Sequence, residues 1–179
     1  MSKYFIAIVP KDPLQEKIIL LKKQVAETYH SEGALRSPAH ITLHMPFELE
    51  GEKEKRFLNQ FRNIGKGFTS FKVGLNNFGC FEPRVIFVCV KPCETLTDLQ
   101  KKTVQFMKVN FSVFNQSDDL RGFHPHITIA FRDLKKPLFY EAWKEFAQKE
   151  FQEEFNCNSV SLLKHDGKNW MVEQEAVFY

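Results

Sequence analysis

Apolar positions along this chain recur at two periods, and the switches between them divide it into elements. Lys3–Val9 is a short apolar, aromatic-rich run closed by Pro10, which predicts a strand. Leu14, Ile18, Leu21 and Val25 then recur at helical spacing, with Asp12 placed to cap and Pro13 suited to the first position. Glu32–Pro38 reads as a loop, and His40–Phe47 as a strand interrupted at Pro46. Glu52–Ile64 carries charge on one face and Phe57, Leu58, Phe61 and Ile64 on another, so it predicts a helix. Phe71–Leu75 and Arg84–Val90 are predicted strands separated by the turn-rich Asn76-Asn77-Phe78-Gly79. Leu96–Phe111 predicts a long helix built on Leu96, Leu99, Val104 and Met107. Asn115–Gly122 is polar and loop-like, and Pro125–Phe131 is a strand. Leu138–Phe151 predicts a last helix, and strands near Asn158–Leu163 and Asn169–Val177 bracket an Asp166-Gly167 turn.

This order repeats itself, and so does a short motif within it. His40-Ile41-Thr42-Leu43 and His126-Ile127-Thr128-Ile129 are both His, apolar, Thr, apolar. Composition alone produces two His-Ile-Thr copies with odds of roughly one in ten thousand. The copies lie 86 residues apart in a chain of 179, so the repeat predicts two lobes that each give one histidine to a shared cleft. No linker or low-complexity tract divides the chain, and residues 1–179 are expected to form one bilobal domain.

On a strand, residues i and i+2 share a face. His40 and Thr42 therefore point one way, and Ile41 and Leu43 the other; His126 and Thr128 oppose Ile127 and Ile129 in the same manner. The apolar pairs would pack under helices and the polar pairs would face the cleft. Two imidazoles across a cleft suit phosphodiester chemistry. A neutral one takes a proton from the attacking oxygen, and a protonated one gives a proton to the leaving oxygen, since imidazole titrates near neutrality. Each threonine hydroxyl can donate to a non-bridging phosphate oxygen. No metal or other cofactor is required for this scheme.

Composition narrows the classes. A net charge of +3 excludes a histone-like binder, although residues 1–90 carry +4 and residues 91–179 carry −1. Cys80, Cys89, Cys93 and Cys157 form no C-x-x-C pair, so neither a zinc ribbon nor a thioredoxin-type motif is supported. The run Tyr4–Pro10 is too short for a signal peptide and no stretch reaches transmembrane length. A cytoplasmic monomer with reduced thiols is expected. The 19 Phe exceed what this length needs, which leaves a few for stacking on a base or sugar.

The paired tetrads, the opening Tyr4-Phe5-Ile6-Ala7-Ile8 strand and the helix after it resemble the two-histidine phosphoesterase superfamily, which includes bacterial 2'-5' RNA ligase-like proteins and cyclic phosphodiesterases. The resemblance covers nearly the whole chain. It implies a bilobal α+β fold, a pseudo-twofold duplication with two antiparallel sheets lining a central groove and helices outside. It implies His40 and His126 as the acid/base pair, Thr42 and Thr128 as phosphate ligands, and an RNA end or small nucleotide with a cyclic or 2'-linked phosphate as partner. Pro46-Phe47 follows the first tetrad, as in one branch of the superfamily. The second copy departs from the ligase-like branch, which commonly has Arg at the position of Phe131; here Arg comes one later, at Arg132.

Parity puts His124, His126, Thr128, Ala130 and Arg132 on one face of an unbroken strand, making Arg132 either a phosphate clamp or a solvated strand end. His44 and His124 share parity with the tetrad histidines and either bind substrate or line the rim. Phe47 and Phe131 either stack on a nucleobase or belong to the core. Two other classes compete. In a metallohydrolase, His40, His44, His124 and His126 would ligate the ion. In a non-catalytic RNA-binding module, the cleft would persist without turnover. His124-Pro125-His126-Ile127-Thr128 also resembles the histidine-triad hydrolases, but Thr128 stands where the third His belongs. The loops Thr28–Ala39, Asn76–Pro83 and Asn115–Phe123 are expected to border the groove and set the substrate.

Overall fold

A computed structural model describes residues 1–115 and 122–179. The elements run β1 (Ser2–Ile8), α1 (Leu14–Tyr29), β2 (Ile41–Leu49), α2 (Gly51–Gln60), β3 (Phe71–Phe81), β4 (Val85–Val90), α3 (Glu94–Phe111), β5 (His126–Ala130), α4 (Lys136–Phe146), β6 (Gln152–Cys157), β7 (Ser159–His165) and β8 (Trp170–Val177). They form two four-stranded antiparallel sheets, ordered β2-β1-β7-β8 and β5-β4-β3-β6. The α+β duplication is visible in the units β1–α1–β2 and β4–α3–β5. Each is a strand–helix–strand whose second strand carries a tetrad and lies at a sheet edge.

The helices are exchanged between the units. α1 packs against β5, and α3 packs against β2. Ile41 and Leu43 of the first tetrad and Ile127 and Ile129 of the second are all buried in one core that spans both sheets. Aromatic rings fill much of it. Phe57 is fully buried, with Tyr4 at 6.1 Å, Phe47 at 5.6 Å, Phe61 at 5.8 Å and Phe111 at 5.3 Å between ring centroids.

Four of the boundaries that differ from the sequence expectation bear on the fold. Strand β2 runs through Pro46 to Leu49, which an edge strand tolerates because the missing N–H faces no partner. Asn76–Gly79 is part of β3, where Asn77 has φ 57 and the register against β4 slips between Leu75 and Phe78. The glycine- and asparagine-rich stretch therefore makes a bulge inside a long strand, and the chain turns at Glu82–Arg84 instead. The last helix ends at Phe146, and Gln152–Cys157 is an unpredicted strand, polar because it too lies at an edge. Helix α1 begins at Leu14, one residue late, although the Asp12 carboxylate still accepts from the Glu16 amide at 3.2 Å. Residues 116–121 of the expected Asn115–Phe123 loop lie outside the described residues. Among the described residues no helix is long and apolar enough to cross a membrane.

Phe57→Ala is expected to lower the unfolding free energy by about 3–5 kcal/mol, because it empties a site enclosed on all sides. Equilibrium urea denaturation checks this; a cost below about 1 kcal/mol would contradict the packing.

Candidate active site

Residues paired directly across antiparallel strands point to the same face. In the first sheet Thr42 lies opposite Ala7, and Ala7 opposite Ser161. Phe5, Ala7 and Leu163 form a small cluster apart from the main core, with Val9 and Trp170 against it, so this face looks away from the helices. In the second sheet Cys89 lies opposite His126 and Phe87 opposite Thr128. Gly79, opposite Phe87, has no side chain to spare: a Cβ there would come within 2.6 Å of the Phe87 ring. The tetrad histidines and threonines are all half-buried. Among the described residues neither threonine hydroxyl is engaged by a hydrogen bond.

Both histidines are held the same way. His40 Nδ1 lies 2.8 Å from the Pro38 carbonyl oxygen, and His126 Nδ1 lies 2.7 Å from the His124 carbonyl oxygen. A carbonyl only accepts, so each Nδ1 carries a proton and donates it, and each Nε2 is left as the reactive nitrogen. Each ring also leans on an aromatic of the neighbouring strand: His40 on Phe5 at 4.7 Å, His126 on Phe87 at 4.8 Å. Trp170 lies 4.7 Å beyond Phe5, and Phe81 4.6 Å beyond Phe87. Two matching aromatic walls thus lead away from the histidines, and Phe81 is 41% exposed.

The electrostatics favour neutral rings. Burial pushes His40 down to about 4, against the Pro38 hydrogen bond, and the nearby charges of Lys22 and His126 lower it further. His126 is also lowered by burial, against the hydrogen bond to the His124 carbonyl, and the His124 charge lowers it further. The edge strands β2 and β5 that carry the two tetrads are in contact, and the His126 charge lowers His40.

The loop before the first tetrad is tied on three sides. Gln15 of α1 grips Ala39, its Nε2 donating to the Ala39 carbonyl at 3.1 Å and its Oε1 accepting from the Ala39 amide at 2.6 Å. The Lys22 ammonium donates to the carbonyls of Ala34 at 2.9 Å and Ser37 at 3.0 Å. Asp133, in the turn after the second tetrad, accepts from the Ser31 hydroxyl and from the Glu32 and Gly33 amides, each at 2.8 Å. A Cβ on Gly33 would come within 2.8 Å of that carboxylate, so the close approach needs glycine.

The neighbouring expectations fare unequally. His124 is exposed beside Phe81 and His126, on the groove wall. His44 is not on that wall. The register slips so that His44 faces Ile6 while Thr42 faces Ala7, and this bulge turns the His44 ring inward, edge-on to Phe47 at 5.3 Å. The four histidines therefore do not converge, and no group of three or more potential metal ligands occurs among the described residues. Phe47 is a core ring packed on Tyr4 and Phe57. Strand β5 stops at Ala130, so Arg132 lies in an exposed turn with its guanidinium 5.5 Å over the exposed Phe131 ring, off the strand face that parity assigned it. Phe5, Phe81, Phe87 and Trp170 escaped the sequence reading. Strand β1 is buried on both faces, which hides its alternation, and Phe81 and Trp170 reach the groove only through sheet pairing.

Residues 10–169 match the sequence profile of the 2'-5' RNA ligase superfamily. The chain belongs to that superfamily. A protein of Geobacillus sp. (strain WCH70), named "Putative phosphoesterase", is 28% identical over 173 residues, covering 95% of this chain and 92% of its own. A protein of Halalkalibacterium halodurans with the same designation is 26% identical over 172 residues, covering 94% and 93%. Among solved structures, TT0787 of Thermus thermophilus has a TM-score of 0.70 at 19% identity, covering 98% of this chain and 96% of that one. E. coli LigT complexed with 3'-AMP has a TM-score of 0.70 at 20% identity, covering 99% and 98%. The two-sheet architecture of this superfamily member is thus that of LigT.

Because folding holds His40 below its ordinary value of 6.5, the unfolded chain binds a proton there that the folded chain does not. Stability from this residue is complete above about 6.5 and is lost as pH falls toward about 4. Urea midpoints measured across that window should fall with pH, and the slope should flatten in His40→Asn. An equal slope in both proteins would contradict the assignment.

Proposed function

We propose that this phosphoesterase hydrolyses a 2',3'-cyclic phosphate or a 2'-5' phosphodiester, with ligation as the reverse direction, at the end of an RNA or on a small nucleotide, without a metal ion. The observation that carries the reading is the matched pair of imidazoles, each with Nδ1–H on a backbone carbonyl, Nε2 left open, and a threonine on the same strand face. In hydrolysis, one neutral Nε2 takes a proton from water as its oxygen bonds to phosphorus. The bond from phosphorus to the leaving sugar oxygen breaks, and the other ring, entering as imidazolium, gives that oxygen its proton. The first ring leaves protonated and the second neutral, and exchange with solvent restores both. Thr42 and Thr128 donate to the non-bridging oxygens as charge accumulates there.

Family membership and the relatives' names support a phosphoesterase in general. The nucleotide part of the substrate draws on the aromatic walls, and on E. coli LigT, solved in complex with 3'-AMP, NADP+ and ATP. Phe81, against His126, and Trp170, against Phe5, offer ring surface on which a nucleobase would stack.

His40→Ala and His126→Ala should each lower turnover of a nucleoside 2',3'-cyclic phosphate by about 100-fold or more with the fold retained. Wild-type turnover should persist in excess chelator and follow a bell-shaped pH profile. Turnover surviving both substitutions, or lost to chelator, would overturn the reading; nucleotide binding without turnover across cyclic and 2'-5' substrates would assign the groove to recognition. Separately, Phe81→Ala and Trp170→Ala should raise KM by about tenfold, in line with the worth of one stacked base, while changing kcat little.

A further inference from the structure

Lys22 is 1% exposed, in the middle of α1. Burying an ammonium is costly, and such cations ordinarily sit on a carboxylate. Among the described residues Lys22 makes no ion pair; it faces only the carbonyl oxygens of Ala34 and Ser37. The next carbonyl after Ser37 is that of Pro38, which receives the His40 proton. Consecutive carbonyls thus hold, in turn, an ammonium and an imidazole. Among the described residues the second tetrad shows no such device. Helix α3, the counterpart of α1, buries Gln100 and Thr103 but no cation, and the His124 carbonyl that orients His126 lies in an exposed segment. The two histidines are therefore alike in hydrogen bonding and unlike in what lies behind them.

We propose that Lys22 is the positioning residue of His40: by pinning Ala34 and Ser37 it fixes the Pro38 carbonyl that decides which ring nitrogen meets the groove, and it keeps positive charge behind that ring. The catalytic consequence rests on the function proposed above; the positioning does not. Two effects follow. With the loop pinned, His40 has one tautomer in the free protein, so no fraction of molecules presents the wrong nitrogen to substrate. Burial keeps the ring neutral, and the Lys22 charge adds to that until an anion arrives in the groove. Besides burial and the Pro38 hydrogen bond, the groups that bear on the His40 charge are Lys22 and His126. Lys22 itself is held down to about 7 by burial, so it is still substantially charged at neutral pH.

The test separates the hydrogen bonds from the charge. Ring nitrogen shifts of His40 and His126 are followed by NMR against pH in wild type, Lys22→Met and Lys22→Gln, each confirmed folded by near-ultraviolet dichroism. Lys22→Met removes both donors and the charge. It should mix the His40 tautomers and raise the proton affinity of that ring by about tenfold, the effect of one close charge in a partly solvated site. Lys22→Gln keeps two N–H donors; it should preserve the tautomer yet show a similar rise. His126 should move less than about twofold in both. A folded variant whose His40 keeps the wild-type tautomer and midpoint would overturn the proposal. So would a variant in which His40 and His126 shift together, since that reports general loosening. With a cyclic phosphate substrate, Lys22→Met should lose about tenfold in kcat at nearly constant KM, with the limb of the pH profile that His40 sets moved upward. If wild type turns over none of these substrates, the proposed function fails, while the ring measurement still decides the role of Lys22.

Discussion

Each tetrad strand in this molecule is backed by the helix of the other unit. Helix α1 leaves β1 and packs under β5; α3 leaves β4 and packs under β2. Ile41, Leu43, Ile127 and Ile129 are the anchors, and all four are buried in one core. This exchange makes the position of either histidine depend on both halves. A lobe that packed only on itself would leave the distance between the rings to a hinge. Here a relative movement of the two sheets would open apolar surface under both tetrads at once, at a cost that grows with the area exposed.

Shorter-range ties finish what packing begins. The carboxylate of Asp133, just after the second tetrad, collects a hydroxyl and two amides of the segment just before the first. Gln15 and Lys22 hold the rest of that segment from α1. The tetrad histidines need such support because burial works against charge on them. In the proposed reaction, a phosphate arriving between two neutral rings would supply the negative charge that makes a proton on one of them favourable again. Both tetrad histidines of the free protein are therefore held toward the neutral form by burial.

Much of the fold was legible because its core strands and helices are strongly periodic. The duplication, the two tetrads and the face assignments of Ile41, Thr42, Ile127 and Thr128 follow from alternation alone. The errors have a common origin in sheet edges and bulges. Gln152–Cys157 is an edge strand whose inward face carries only Phe155 and Cys157 beside Glu153, so its alternation is weak. The Asn76–Gly79 stretch has the chemistry of a turn and is spent on a bulge. A bulge also defeated the parity argument at His44, where one extra residue on β2 moved the ring from groove to core. Arg132 failed differently: the strand that was to carry it ends two residues earlier.

By itself the sequence determined the candidate groups and their pairing, because a period of two leaves a His-apolar-Thr-apolar tetrad only one way to be amphipathic on a strand. Tertiary structure decided what surrounds them. The aromatic walls of Phe5, Trp170, Phe87 and Phe81 join residues from β1, β8, β4 and β3, and no local pattern relates such distant positions. Nothing in the helical periodicity of Leu14, Ile18, Leu21 and Val25 marks Lys22 as buried. Only the folded chain shows it beneath the loop that orients His40, because burial is a property of what packs over a residue and not of the residue itself.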